Sequence, residues 1–195
     1  MRAALVVFAI GVSTLQQAGG PAPLPHVVIV TAAGAIEVEI DTARAPITAA
    51  NFLRYVDAGL YDAGRFHRTV RPETESRTDY PIQVIQAGID PARRREGFPA
   101  IALERTNGTG VRHRDGVLSM ARGAADSATS DFFVCIGDQP ELDFGGRRNA
   151  DGQGFAAFGR VVSGMDVVRT IQASPVAAGT QNLTPPVAIV SARRK

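Results

Sequence analysis

A succession of short β-prone runs, separated by loops rich in Gly, Pro and Asp, constrains the fold of this chain more than any other feature. Residues 27–31 and 36–40 come first and flank Ala32-Ala33-Gly34-Ala35. The second of them alternates apolar with acidic residues, the period of a half-buried strand, so the pair reads as a hairpin. Further runs follow at 65–70, 82–86, 116–120, 132–136 and 156–162, and 187–191 looks like a closing strand. Such density predicts a mainly β barrel or sandwich. Two helices interrupt it. Pro46 suits a first helical turn, and Ile47, Ala50, Leu53 and Val56 recur at helical spacing until Gly59. Ser163 stands where it would cap a second helix over 164–172, with Asp166 in the first turn to complement the helix dipole.

At 195 residues and 45% hydrophobic content, the chain has enough apolar material for one substantial core and nothing that forces a second domain. The first residues read differently. Arg2 precedes an apolar run over 3–12 and small or polar residues over 13–18, which is signal-peptide anatomy. The run falls short of the roughly 20 apolar residues needed to span a bilayer. Cleavage is therefore expected near residues 18–20, although Gln16 stands where a small residue is preferred. The expected organisation is a signal peptide over 1–20, a Pro-rich linker over 21–25 and one domain over 26–195. The protein is accordingly expected to be periplasmic or secreted, without stable membrane insertion.

Formal net charge is +2, with no concentrated basic stripe, and Arg93-Arg94-Arg95 is not interleaved with aromatic residues, so no nucleic-acid partner is expected. The single cysteine, Cys135, lies in the apolar run Phe132-Phe133-Val134-Cys135-Ile136, a setting for a buried thiol rather than a nucleophile. His26 and His113 have no short spacing to other ligands, so no metal is expected. Asp41, Asp57, Asp62 and Glu104 form no convincing carboxylate pair. Ser119 and Ser130 lie neither in a strained nucleophile turn nor near a paired acid and histidine, which argues against a hydrolase.

What the chain does offer is an arginine and a glutamine beside apolar side chains, in Phe66-His67-Arg68 and Val84-Ile85-Gln86-Ala87-Gly88. A positioned cation in a dry pocket suits a reaction in which no covalent bond is made or broken, such as rotation about a prolyl amide. The order of several blocks sharpens this reading. Ala45-Pro46-Ile47-Thr48-Ala49-Ala50-Asn51-Phe52 precedes those two segments. After them come Leu118-Ser119-Met120-Ala121-Arg122, Ser127-Ala128-Thr129-Ser130-Asp131-Phe132-Phe133 and Phe158-Gly159-Arg160-Val161-Val162-Ser163-Gly164-Met165-Asp166-Val167-Val168. From about His26 to the last strand the chain resembles the cyclophilins, the cyclosporin-binding class of peptidyl-prolyl cis-trans isomerases, and is most similar to secreted bacterial members.

The resemblance implies a closed eight-stranded antiparallel β-barrel capped by two α-helices. The implied activity is isomerisation of X-Pro bonds during protein folding by a monomer without cofactor or metal. The implied partners are proline-containing segments of unfolded or folding proteins. A catalytically weak Pro-peptide-binding module or folding chaperone on the same barrel is the alternative. By the same resemblance Arg68 is the catalytic cation and Gln86 bonds the substrate backbone. Phe133 and Leu142 line the proline pocket, Ala121 and Arg122 pair through their main chain with the peptide, and Gln83, Val84 and Phe155 form its walls. His67 is turned away from the pocket, and Phe132 faces the core because strand side chains alternate. Five positions depart from the family pattern: Gln83 and Val84 replace an apolar pair, Asp131 replaces a Gln, Phe155 sits where a His or Tyr is common, and Glu141 stands where an aromatic is usual. That last change implies weak cyclosporin binding. The stretch 71–82 is longer than usual, polar and expected to be exposed, either as a lid or partner-binding element or as a tolerated insertion.

Overall fold

A computed structural model describes residues 22–195. The expected signal peptide and Pro21 of the expected linker lie outside the described residues. Eight strands close into a barrel: β1 (His26–Thr31), β2 (Gly34–Ile40), β3 (Arg65–Val70), β4 (Val84–Gly88), β5 (Val117–Met120), β6 (Phe132–Cys135), β7 (Ala156–Ser163) and β8 (Asn182–Arg194). Around the barrel the order is β1-β2-β7-β5-β6-β4-β3-β8, and every pair is antiparallel. Closure leaves no unpaired sheet edge. The fold is therefore the barrel that the resemblance implied.

Among the described residues three α-helices accompany it: α1 (Pro46–Asp57), the single turn α2 (Thr106–Thr109), and α3 (Met165–Ala173). Helix α1 packs against β7 and β8, and α3 against β2, β3 and β4. The inward stripe of α1 is Ala49, Phe52, Leu53 and Val56, at the i, i+3, i+4, i+7 spacing of a helix face. It is offset from the expected one, because Ile47 and Ala50 face solvent. The first turn is capped from a distance: the Glu104 carboxylate accepts from the Ile47 and Thr48 amides at 3.1 and 2.7 Å. Ser163 does not cap α3. That position belongs to Gly164 at φ 90°, where a Cβ would stand 2.4 Å from the Ala35 carbonyl oxygen. Only glycine fits so close an approach in that conformation.

Strand alternation divides most of the apolar residues between two clusters, with Val111, Val117 and Ala157 in a small third. Phe66, Ile85, Ala87, Leu118, Met120, Phe132 and Val134 point into the barrel, where α1 adds Phe52. Phe132 sits at the centre of this core, edge-on to Phe52 and Tyr61 at centroid distances of 5.3 and 5.4 Å. Their neighbours in the same strands, Val84, Phe133 and Cys135, point out and form a second cluster with Val70, Ile82 and Leu142. Several of the residues expected at the site, Val84, Phe133 and Leu142, belong to this outer cluster.

Candidate active site

Strand β3 brings its cation to the outer face by an irregularity. Phe66 pairs with Ala87 and Arg68 with Gln86, so His67 is an extra residue with no partner in β4. In a regular strand Phe66 and Arg68 would share a face. The bulge puts Phe66, fully buried, into the core and turns Arg68 outward beside Gln86. Register then carries a row across the barrel wall: Arg68 opposite Gln86, Gln86 opposite Phe133, Phe133 opposite Ser119. A cation, an amide and an aromatic ring therefore stand side by side without any being close in sequence.

This row borders a cavity of about 210 Å³. Phe133, Leu142 and Phe155 make its apolar side, with Phe155 edge-on to Phe133 at 5.5 Å, and Val84, Ala121 and Arg122 also line it. Eight of the nine residues expected at the site thus come together. Gln83 is the exception. It lies one residue out of phase with Val84, and its side chain accepts instead from Gln172 of α3 at 3.2 Å. The wall expected of Gln83 is supplied by Ile82.

Arg68 is held by neutral groups only. Its Nη1 donates to Gln86 Oε1 at 3.0 Å, while Nε and Nη2 both donate to Gln181 Oε1, at 3.0 and 2.6 Å. Gln181 is in turn oriented by donating to the Thr74 carbonyl at 3.0 Å. It carried no sequence signal, being 113 residues from Arg68. Burial, and then the nearby charge of Arg148, lower the proton affinity of Arg68, with Glu75 opposing. A guanidinium remains charged under such pressure, so the pocket holds a cation whose field no directly bonded carboxylate cancels. Replacing Gln181 by alanine is expected to lower kcat/KM roughly tenfold, about 1.4 kcal/mol, without lowering the melting temperature. An unchanged rate would show that Gln86 alone suffices to hold Arg68.

Arg122 contributes its side chain as well as its main chain. That side chain is 1% exposed. It donates to the Gly154 carbonyl at 2.8 Å and to both Asp151 oxygens at 2.8 and 2.9 Å, and lies 5.2 Å from the Phe155 ring. Gly154, at φ 66°, crosses so near Asp143 and Phe144 that a Cβ would collide with their backbone. Arg122, followed by the Gln153 amide, pulls the Asp151 carboxyl from 3.8 down to about 2. A carboxyl depressed in the folded state stabilises above its unfolded pKa, and that stabilisation is lost as pH falls through the folded one. Between pH 3.8 and about 2 this wall is expected to loosen, seen as a titration of the Gly154 and Phe155 amide resonances that Asp151→Asn abolishes.

Beneath Phe133 lies an array that sequence reading did not assemble. His113 Nδ1 bonds Asp143 Oδ1 at 2.8 Å and His113 Nε2 bonds Ser119 Oγ at 2.9 Å, so Ser119 does have a paired histidine and acid. Ser119 and His113 are 0% and 1% exposed, and no substrate carbonyl can reach the hydroxyl. The imidazole stacks under Phe133 at 6.0 Å and an interplanar angle of 15°, making the array a support for the pocket floor. His67 does not line the cavity and lies 3.7 Å from Asp131. Burial, opposed by Asp131, lowers its pKa. Burial likewise raises the Cys135 thiol far above its ordinary range. Among the described residues no group of three or more His, Cys, Asp or Glu is arranged to hold a metal, and no helix is long and apolar enough to cross a membrane.

Residues 26–194 match the family model of the cyclophilin type peptidyl-prolyl cis-trans isomerases. The chain belongs to this family. As a cyclophilin it is an isomerase of prolyl peptide bonds. It is similar to peptidyl-prolyl cis-trans isomerase A of Dickeya dadantii, at 32% identity over 97% of this chain and 95% of that protein. The peptidyl-prolyl cis-trans isomerase of Acinetobacter baylyi is 35% identical over 83% of this chain and 81% of its own length. Among solved structures, the Cryptosporidium parvum cyclophilin crystallised in the presence of the dipeptide Ala-Pro superposes with a TM-score of 0.69 at 21% identity. That match covers 87% of this chain and 98% of the other, a likeness of fold.

The stretch 71–82 in this cyclophilin is not a free excursion. Glu75 accepts from the backbone amides of Arg77 and Ile82 at 3.0 and 3.2 Å and pairs with Arg148 at 2.8 Å, their side chains 4% and 11% exposed. Burial opposes ionisation of Glu75, but those three donors outweigh it and hold the carboxyl below its ordinary value. Arg77 returns a bond to the Arg148 carbonyl at 2.6 Å. Only the outer side of the stretch is exposed, contrary to expectation. Its inner side reaches the cavity through Ile82 and orients Gln181 through Thr74.

Proposed function

We propose that Arg68 is the electrostatic catalyst of X-Pro rotation in this protein, with the prolyl ring seated on Phe133 between Leu142 and Phe155. Amide resonance sets a barrier of about 18–20 kcal/mol to this rotation. In the twisted transition state the prolyl nitrogen becomes pyramidal and regains a lone pair. A guanidinium aimed at that nitrogen, or at the backbone beside it, favours the twisted state over the planar one. Acceleration by about five orders of magnitude requires roughly 7 kcal/mol, more than the ~1.5–3 kcal/mol of one charge-assisted hydrogen bond. The apolar floor, Gln86 and the Ala121 backbone therefore contribute by orienting the peptide. The observation that carries this reading is the bonding of Arg68 to two neutral amide oxygens, which leaves its charge available at the edge of an apolar cavity. The Ala-Pro dipeptide present with the Cryptosporidium parvum protein is consistent with such a ligand.

The proposed setting is outside the cytoplasm, where the protein acts as a monomer on proline-containing segments of folding chains after losing residues 1–20. The apolar run behind Arg2 supports export. Glu141, paired with Arg147 at 3.4 Å and absent from the cavity lining, supports weak cyclosporin binding. Catalysis is tested by exchange spectroscopy on short Ala-Pro peptides with the chain lacking residues 1–20. Peptide binding without acceleration would replace this reading with a binding module. Export is tested by the mass of the protein recovered from native cell envelopes, and an intact Met1 in the cytoplasmic fraction would overturn it.

A further inference from the structure

The lining of the cavity carries chemistry that the isomerase reaction does not require. Besides Arg68, two guanidiniums line the cavity, Arg122 and Arg148, and no carboxylate does. Arg122 is committed to Asp151 and to the Gly123 and Gly154 carbonyls, which occupies its Nε and both terminal nitrogens. Arg148 is not so committed. Its Nη1 donates to Glu75 Oε2 and the Tyr80 carbonyl at 2.8 and 2.9 Å, and its Nη2 reaches Glu75 Oε1 only at 3.4 Å. Among the described residues its Nε has no acceptor, so part of a five-donor fork is unspent. Next to it, the Asn149 Nδ2 is screened from solvent with no hydrogen-bond partner, although Asn149 lines the same cavity. A buried donor without an acceptor is costly, and a turn of the Asn149 amide into the cavity would present it to an acceptor that a ligand brings. The charge on Arg148 already reaches Arg68, whose proton affinity it lowers. An anion seated between them would relieve that repulsion.

Resting on the site assignment above, we infer that Arg148 and Asn149 form a carboxylate-accepting wall. This wall selects substrates that carry Asp or Glu within two residues of the proline. The buried Glu75–Arg148 pair is what holds Arg148 in place, so the long 71–82 stretch acts as a specificity element. Glu75 neutralises part of the charge without occupying every donor, which allows selection without trapping the product.

The test is a peptide series with Glu, Gln or Lys at each of the two positions on either side of one proline, with isomerisation followed by exchange spectroscopy at low ionic strength. At one position or more, kcat/KM for Glu is expected to exceed that for Gln roughly fivefold and that for Lys by more, shrinking as salt rises. No preference at any position overturns the proposal, while catalysis of the Gln peptides would leave the isomerase site itself standing. The second arm is Glu75→Gln with Arg148→Met, which removes both partners of the buried pair so that neither charge is stranded. Because the readout is the Glu-to-Gln ratio within one protein, a change in absolute rate cancels. A ratio falling to about one supports the wall, and an undiminished ratio overturns it. Should that variant fail to fold, Arg148→Lys, which keeps the charge but not the fork, is read by the same ratio, and an undiminished ratio overturns the wall.

Discussion

Arg68→Ala is expected to lower kcat/KM by about 10²–10³-fold, the size found when one preorganised transition-state donor is removed. Melting temperature should stay close to that of the parent. Arg68 bonds only the side-chain oxygens of Gln86 and Gln181, so its loss strands no buried charge and opens space in a cavity that water already reaches. The lysine variant separates charge from geometry. An ammonium keeps the cation but cannot span Gln86 and Gln181 at once, so Arg68→Lys should recover only part of the rate. A parent-like rate in the alanine variant would remove Arg68 from the chemistry and return attention to the pocket's apolar floor.

Neighbouring phenylalanines are expected to fail in opposite ways. Phe132→Ala should cost about 3–5 kcal/mol of stability, because Phe52, Tyr61 and Phe66 all pack against that ring inside a closed barrel and cannot collapse into the gap. What remains folded should turn over normally. Phe133→Ala should instead raise KM sharply, since its ring, flanked by Phe155 and stacked on His113, is the surface on which the prolyl side chain is proposed to rest. Denaturant unfolding and steady-state kinetics on both variants check the contrast. If Phe133→Ala bound Ala-Pro peptides like the parent, the pocket would have to lie elsewhere on the barrel.

Legibility from sequence followed the range of the interaction concerned. Alternation is local, so the opposite facing of Phe132 and Phe133, and the hairpin of β1 and β2, could be read from residue order. Gln83 was misplaced because the resemblance set it beside Val84 in one wall, whereas adjacency in sequence means separation by a face in a strand. Helix α1 was recognisable by Pro46 and its period, yet its inward stripe was displaced, since burial depends on what the helix meets rather than on spacing alone. What escaped was non-local. Gln181 reaches Arg68 across 113 residues, Asp143 reaches His113 across 30, and Glu75 meets Arg148 across 73. No period or motif announces such pairs, because closure of the barrel creates them. Polar composition suggested an exposed 71–82 stretch, whereas its inner side spends that polarity on buried partners.

Strand β3 behaves like a signal whose phase is shifted by a single insertion. The residues Phe66 and Arg68 are separated by the spacing that ordinarily means same side, and His67 alone converts it to opposite side. Deleting His67 would remove the bulge and leave Phe66 opposite Ala87 and Arg68 opposite Gln86 as adjacent residues of a regular strand, on opposite faces, so the arginine would stay outside. Position 67 is thus an extra residue on which the facing of Arg68 does not depend, and the histidine can change in chemistry without turning that arginine inward.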